Sequence, residues 1–418
     1  MSNVLENFDI ASDLKVEFFL PDAAGNLFIL GISLLGGDDV LAGAGQFIIG
    51  TSLLGGTDTL AGEATVAFTW QAYECSVSEL DIDFGGEVQD ALYFQPRPAQ
   101  ADLTLQNLTI DSTVNPAMRP GVGVRARLQR GEYSKTLFRG YIDTINVTYD
   151  PRNNTHLMQV TAFDSFKRVV NSRLALLDTA DPVEFPDGYA TPYEVIEIIA
   201  DQYGTAMSPQ SALTDGRIPG TTLEDFIPAT PLYEAIQVGL GLFWIEPDTE
   251  EFVFIPRPET LDPTGAYSVG NNHNEPLHLC MSDIDVASNL ENIYNSLKVS
   301  LTSDSNTSVL VRNTDSIELF GEYAIDTDLN TTDEIGLTRW ASAVFNQTTT
   351  KLVQSVETPA IDRKGALTHA AIIQPGETIR VVYQTPQLNI NDTYTVTKVS
   401  HNIDVNNWFT TLELWKEF

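Results

Sequence analysis

Apolar and polar residues alternate along much of this chain, which is the pattern of strands that bury one face. Ile145, Val147 and Tyr149 fall on one face of such a stretch, and polar residues stand between them. The turn sequence Asp-Pro-Arg-Asn-Asn follows, in which Pro presets φ and Asn tolerates left-handed backbone. Alternation then resumes, so the pattern predicts a long β-hairpin over residues 141–162.

The end of the chain repeats this plan, with alternating strands on both sides of a turn over residues 394–414. Four residues of this segment are identical to residues of the first hairpin at one constant spacing. In a sequence of low complexity such a match is compatible with chance or with the ordinary composition of hairpins. The alternative is an internal duplication, which predicts two related β domains with equivalent hairpins. The identities share one spacing of 253 residues: Tyr141 with Tyr394, Thr144 with Thr397, and Asn153-Asn154 with Asn406-Asn407.

The middle of the chain has helical patterns. Thr191-Pro-Tyr-Glu is a capping box with Pro at the first helical position, and apolar residues continue to Tyr203 before Gly204. Thr230 opens a second stretch in the same way, and a hairpin is predicted next, over residues 241–256. These elements predict a small α+β domain.

The last region predicts strands at 293–301 and 308–312, a helix opened by a capping box at Thr331 and Glu334, and strands to the end. The predicted fold is mainly β, with two related antiparallel β-barrel domains flanking the α+β domain. The predicted divisions are a Gly-rich extension (1–75) that is part of the first barrel or packed on it, a first barrel (76–165), the α+β domain (166–270) and a second barrel with one helix (271–418).

A tandem glycine-rich repeat occupies residues 27–62, with a spacing of 19 residues between its two copies. The sequence Gly-Gly-Asp-Asp-Val-Leu is similar to calcium-binding nonapeptide repeats, in which Gly permits tight turns and Asp supplies oxygen ligands. That motif recurs in long arrays at half this spacing. We therefore favour plain β-hairpin turns over a calcium site.

Composition narrows the function. The 418 residues carry a net charge of −34, which argues against a sequence-independent grip on nucleic acid because such a grip needs clustered Lys and Arg. Acidity of this kind also fits a protein that works in high salt. No apolar run reaches membrane-spanning length, and the N-terminus lacks the features of a signal peptide, so we expect assembly in a cytoplasm.

Candidate chemistry is sparse, and we select no catalytic, cofactor-binding or metal-binding residue. Catalytic and phosphate-binding motifs are absent from the sequence, so we expect no enzyme. His273, His278 and Cys280 lack a fourth ligand and are interpreted as loop residues, and Cys75 as an ordinary thiol. Three carboxylate pairs could ligate a cation but are interpreted as solvated strand faces: Asp81 and Asp83, Asp283 and Asp285, and Asp326 and Asp328.

Three stretches, taken in order, resemble the baseplate-hub or tail-tip hub proteins of tailed phages and contractile injection machines. Residues 136–166 are similar to the family's first-barrel signature, with a Phe-x-Gly-x-Ile core and a strand that ends at Asp164. Residues 242–257 are similar to its middle-domain hairpin, and residues 374–414 to its terminal barrel. The glycine-rich repeat departs from the family's common core.

The resemblance implies a structural virion protein that forms a trimeric ring, docks on the hexameric tail tube, closes its end and lets DNA pass. The implied partners are the tube protein, the distal tail ring and tail fibre or spike proteins. The implied location is the tail tip or baseplate of the virion. The alternative is a receptor- or carbohydrate-binding β protein of a virion or cell surface, in which Trp70, Trp244, Trp340 and Trp408 would stack on sugars.

Overall fold

The fold is known from a computed structural model of the chain. It describes residues 3–5, 10–21, 27–30, 40–42, 46–49, 59–61, 68–72, 76–89, 93–106, 119–150, 155–171, 188–209, 211, 216–219, 228–256, 266–272, 277–287, 295–332, 334–345 and 352–416.

The N-terminal elements include the strands of the glycine-rich repeat. They are β1 (Asn3–Leu5), α1 (Ile10–Asp13), β2 (Leu14–Pro21), β3 (Leu27–Leu30), β4 (Val40–Ala42), β5 (Gln46–Ile49), β6 (Thr59–Ala61) and β7 (Phe68–Ala72). β3 pairs in parallel with β5, and β4 with β6, each residue facing the one 19 positions on. The prediction of plain hairpins was therefore wrong for these strands, because two copies of one sequence stack in register. Asp38, Asp39 and Asp58 lie outside the described residues.

Five long antiparallel strands follow, and we name them the first copy. They are β8 (Ser76–Gln89), β9 (Tyr93–Gln106), β10 (Gly123–Arg130), β11 (Tyr133–Asp150) and β12 (Thr155–Phe163). Their order in the sheet is β10-β11-β12-β9-β8, and β2 and β7 continue the sheet beyond β10.

The middle of the chain contains most of the helices. Its elements are α2 (Phe166–Asn171), β13 (Tyr189–Ala190), α3 (Pro192–Gln202), β14 (Ile218–Pro219), α4 (Ala229–Gly239), β15 (Gly241–Ile245) and β16 (Phe252–Pro256). Buried Phe166 and Phe243 lie with ring centroids 5.3 Å apart, so α2 packs against β15. β15 and α4 in turn contact β9, which joins this middle unit to the apolar face of the first copy.

The last region supplies the remaining strands. Its elements are β17 (Tyr267–Gly270), β18 (His278–Cys280), β19 (Asp283–Ala287), β20 (Ser296–Leu301), β21 (Ser308–Arg312), α5 (Thr314–Phe320), β22 (Ala324–Leu329), α6 (Glu334–Val344), β23 (Leu352–Pro359), β24 (Leu367–Thr368), a 3₁₀ helix (His369–Ala371), β25 (Thr378–Gln384), β26 (Asn389–Asp404) and β27 (Trp408–Trp415).

Five of these strands form a second copy of the first-copy pattern. The order β25-β26-β27-β23-β19 is entirely antiparallel and matches β10-β11-β12-β9-β8 strand for strand, in the same chain order. Between β19 and β23 the second copy carries an insertion that contains β20, β21, β22, α5 and α6. Both copies belong to one curled half-barrel sheet of 14 strands, so the predicted fold class is confirmed.

The hairpins of the two copies are equivalent, but the spacing of 253 is not the structural one. Each outgoing strand has a bulge, between Ile142 and Thr144 in β11 and between Val396 and Lys398 in β26. Matching the bulges relates β11 to β26 by 254 positions and β12 to β27 by 252. This match also places buried Val160 on buried Leu412, whereas a spacing of 253 places it on the polar face. Beyond the equivalent pairs Tyr149–His156 and Ile403–Trp408, the first hairpin has six residues and the second has four.

Helix starts were predicted unevenly. The capping box of α3 is present, since the Thr191 hydroxyl accepts from the Glu194 backbone N–H and the Glu194 carboxylate accepts from the Thr191 N–H. α4 begins earlier than predicted, at Ala229 after Pro228, and has no side-chain cap. α6 begins at Glu334 itself, and the Thr331 hydroxyl donates to the Arg217 carbonyl instead.

Candidate assembly surface

The two copies meet at a strand junction formed by β26 and β8. Lys398–Asp404 pairs antiparallel with Glu79–Gly85. On its apolar face Ile403 lies opposite Leu80, and His401 lies opposite Ile82. All four of these side chains are buried, so the junction is part of the core.

Gly85 allows a close approach of the two backbones at the junction. A Cβ atom at this position would lie 2.3 Å from the carbonyl oxygen of Thr397, the bulged residue of β26. The Gly85 φ of +112° is also one that L side chains rarely adopt. The bulge of β26 therefore needs a glycine beside it.

The opposite face of the junction is polar and acidic. The Asn402 side-chain amide donates to the Asp81 carboxylate across 2.6 Å, and Asp102 lies opposite Asp81 on β9. Burial raises the Asp81 pKa, the hydrogen bond from Asn402 opposes the rise, and the charges of Asp102 and Asp83 add to it. Carboxylates thus face one another across neighbouring strands on this side of the sheet.

His401 is the buried titratable group at the junction. Trp408 Nε1 donates to its Nδ1 at 3.3 Å, and the Thr410 hydroxyl lies 3.0 Å from the same nitrogen. Since an indole N–H only donates, Nδ1 accepts and the ring is neutral. Burial lowers the His401 pKa to about 3.

Two strand edges equivalent to those of the junction remain open in the described part of the chain. β10, together with Gly121 and Val122 before it, pairs with β11 only as far as Ile142. Beyond that point Val147 is 44% exposed and Tyr149 is 50% exposed. β19 pairs with β23 on one edge, no described strand covers its other edge, and its Ile284 and Val286 are half-buried.

Ion pairs join the middle unit to the first copy, and a hydrogen bond joins it to the segment that precedes β25 of the second copy. Lys135 of β11 lies 2.9 Å from carboxylate oxygens of both Glu246 and Asp248, and Gln374 donates to Glu246 at 2.7 Å. Nearby, Asp164 accepts from the Phe166 N–H at 3.1 Å. Burial raises the Asp164 pKa to about 7, against the hydrogen bonds from backbone N–H groups that lower it.

Known structures share this architecture. No protein-family model and no curated protein sequence matches the chain. The tail protein from Neisseria meningitidis MC58 superposes with a TM-score of 0.55 at 12% identity, covering 84% of this chain and 94% of that one. The 43 kDa tail protein of prophage MuSo2 from Shewanella oneidensis gives 0.53 at 10% identity, covering 83% and 96%.

The chain has the tail-protein fold. The coverage of more than four fifths of the chain includes residues of both copies, so the fold extends beyond a single barrel unit. Because about one residue in eight is identical, the agreement lies in the backbone architecture rather than in shared side chains.

Within the tail-protein fold, the residues considered for chemistry are dispersed. His273 and Cys75 lie outside the described residues, while His278 and exposed Cys280 lie on β18. No group of three or more His, Cys, Asp or Glu among the residues described could hold a metal ion. The carboxylate pairs Asp283 and Asp285, and Asp326 and Asp328, lie exposed on strand faces.

Three of the four tryptophans considered for sugar stacking are buried in the described core. Trp244, Trp340 and Trp408 are at most 4% exposed, and Trp70 lies in β7. No helix within the described ranges is long and apolar enough to cross a membrane. The sequence did not indicate the open edge of β11, because alternation predicted that the strand face carrying Val147 and Tyr149 would be buried.

Proposed function

We propose that this protein is a structural component of a phage-type tail, the hub at its tip or baseplate. The observation that carries the proposal is the pair of equivalent five-stranded copies in one sheet, within a fold shared with two tail proteins. The two proteins that share this fold are tail proteins, which supports a structural rather than an enzymatic role. Its location would be the virion, after assembly in the host cytoplasm.

The duplication supports a trimer. Two copies per chain give six similar units when three chains form a ring. Such a ring presents threefold symmetry through its chains and near-sixfold symmetry through its copies. It could therefore dock on a hexameric tube on one side and on a threefold fibre or spike on the other. The tube protein and the distal tail ring are the proposed neighbours.

The acidic face supports a role in DNA passage rather than DNA binding. Asp81, Asp83 and Asp102 lie on the polar face, and the chain carries a net charge of −34. A channel lined by this face would repel the phosphate backbone, so that DNA could move through without adhering. We propose that the polar face lines the channel and that the apolar face packs on the middle unit.

Light scattering coupled to gel filtration tests the trimer, and electron microscopy with added tube protein tests the docking. We expect three times the mass of 45.9 kDa and rings that cap the tube ends. A monomer at every concentration, or a trimer that does not bind the tube protein, would overturn the proposed hub. Binding to a glycan array without assembly would favour the receptor-binding alternative.

A further inference from the structure

We infer that neighbouring chains are joined by a second strand junction, in which β11 of one chain pairs antiparallel with β19 of the next. Val147 would lie opposite Val286 of the partner subunit, and Tyr149 opposite Ile284 of the partner subunit. This inference rests on the proposed ring and goes beyond it, because it specifies the two strands and their register.

Two pairs of strands are equivalent, β11 with β26 and β19 with β8. β11 matches β26 through the shared bulge, with 254 positions between them. β19 matches β8 because each is the antiparallel neighbour of an equivalent strand, β23 in the second copy and β9 in the first. Leu80 pairs with Leu103, and Ile284 pairs with Val356. The equivalent strands β9 and β23 each pair with the returning strand of their hairpin.

The register of the junction within one chain applies to the equivalent strands β11 and β19. In the junction within one chain, Ile403 faces Leu80 and His401 faces Ile82. The counterparts of Ile403 and His401 in the first copy are Tyr149 and Val147. The counterparts of Leu80 and Ile82 in the second copy are Ile284 and Val286. Each transferred pair is therefore apolar on both sides.

The burial of equivalent residues differs between the two copies. Ile403 and His401 are both 2% exposed, and each lies opposite a buried residue of the paired strand β8. Val147, at the equivalent place, is 44% exposed, and Ile284 and Val286 are half-buried. An edge strand with exposed β-branched side chains is a template for pairing with another chain. Covering these residues would complete in the first copy what β8 completes in the second.

The polar face of the inferred junction also has complementary residues. Asn402 hydrogen bonds to Asp81 at the junction within the chain. The transferred pair is Thr148 with Asp285, and a hydroxyl can donate to a carboxylate in the same way. The carboxylate pair Asp283 and Asp285 therefore corresponds in position to Glu79 and Asp81, so the acidic face would continue from one chain into the next.

The inferred contact can close a ring of chains. Each chain offers one β11 edge and one β19 edge, so the contact is head-to-tail rather than twofold. Head-to-tail contacts produce a ring when the rotation per chain closes and a filament when it does not. Alternation of the two junctions places first and second copies in turn around the ring, and three chains then give six units.

Disulfide trapping tests the register in a background with Cys75→Ser and Cys280→Ser. Thr148→Cys with Asp285→Cys should link separate chains on mild oxidation, because directly opposed Cβ atoms lie within reach of a disulfide. Asn146→Cys with Asp285→Cys is the matched control, since a pair offset by two residues lies beyond that reach. We expect linked dimers and trimers on a non-reducing gel from the first pair and at least tenfold less from the control.

A charge at the edge provides an independent test. Val147→Lys should weaken trimer formation at least tenfold by sedimentation, with the melting temperature of the monomer unchanged. Val405→Lys is the control, because Val405 is 59% exposed in the turn of the other hairpin. Trimers that form normally with Val147→Lys, or that link only through the offset pair, would overturn the register while leaving the hub intact. A wild-type monomer would overturn both.

Discussion

Gly85 packs so closely against the carbonyl oxygen of Thr397 that a Cβ atom at position 85 would lie 2.3 Å from that oxygen. We expect Gly85→Ala to lower the free energy of unfolding by about 2–4 kcal/mol, because the clash adds to backbone strain at positive φ. Urea denaturation measures this loss. Gly131→Ala is the control, since its φ of +59° is also positive but its Cβ would meet open space. Equal losses in the two variants would contradict a tight junction.

Lys135 should be important for attachment of the middle unit to β11. Lys135→Met leaves Glu246, whose side chain is 8% exposed, with only Gln374 as a hydrogen-bond donor among the contacts described above. We expect a loss of roughly 1–3 kcal/mol, because a carboxylate with an incomplete set of donors remains buried. The double change of Lys135→Met with Glu246→Gln should recover part of it. No recovery in a double-mutant cycle would argue against the ion pair.

Asp164 should make the protein less stable as pH rises between about 4 and 7. Burial raises its folded-state pKa to about 7, so the folded state keeps a proton that the unfolded state has released. Asp164→Asn cannot ionise and keeps an oxygen for the Phe166 N–H. We expect its stability relative to wild type to increase across this pH range, by up to about 1.4 kcal/mol per pH unit. A difference independent of pH would contradict the raised pKa.

His401 should act in the opposite direction. Its folded-state pKa of about 3 lies below the unfolded value of about 6.5, so its contribution to stability is lost as pH falls through this range. His401→Asn removes the titration, and its disadvantage relative to wild type should shrink at pH 5 compared with pH 7.5. Chemical denaturation at both values measures this. The opposed effects of Asp164 and His401 partly cancel in the wild type, so each becomes visible only in its variant.

Local signals predicted much of this fold. Alternation located both hairpins, and the capping box at Thr191 located α3, because each depends on neighbours within a few residues. The parallel pairs of the glycine-rich repeat were mistaken for hairpins, since which strands pair depends on residues far apart in the chain. The start of α4 was misplaced because Pro228 begins it without a side-chain cap.

The duplication shows why residue identity misled while pattern did not. Tyr141 matches Tyr394 in the sequence, but Tyr394 is 1% exposed and occupies the position equivalent to Gly140. Packing constrains the buried face, so Val160 and Leu412 are the true counterparts. Polar turn residues shift more easily, because a turn can lose two residues without disturbing the sheet. The open edge of β11 could not be predicted, since it depends on how far β10 runs along β11 rather than on the alternation within β11.

The insertion between β19 and β23 has a consequence for images of the particle. It occurs in the second copy alone, where the first copy has only residues 90–92 between β8 and β9. In a ring of three chains the extra mass would therefore recur every 120° rather than every 60°. Averaging particles with imposed sixfold symmetry would blur it to half occupancy, whereas threefold averaging would retain it at full strength.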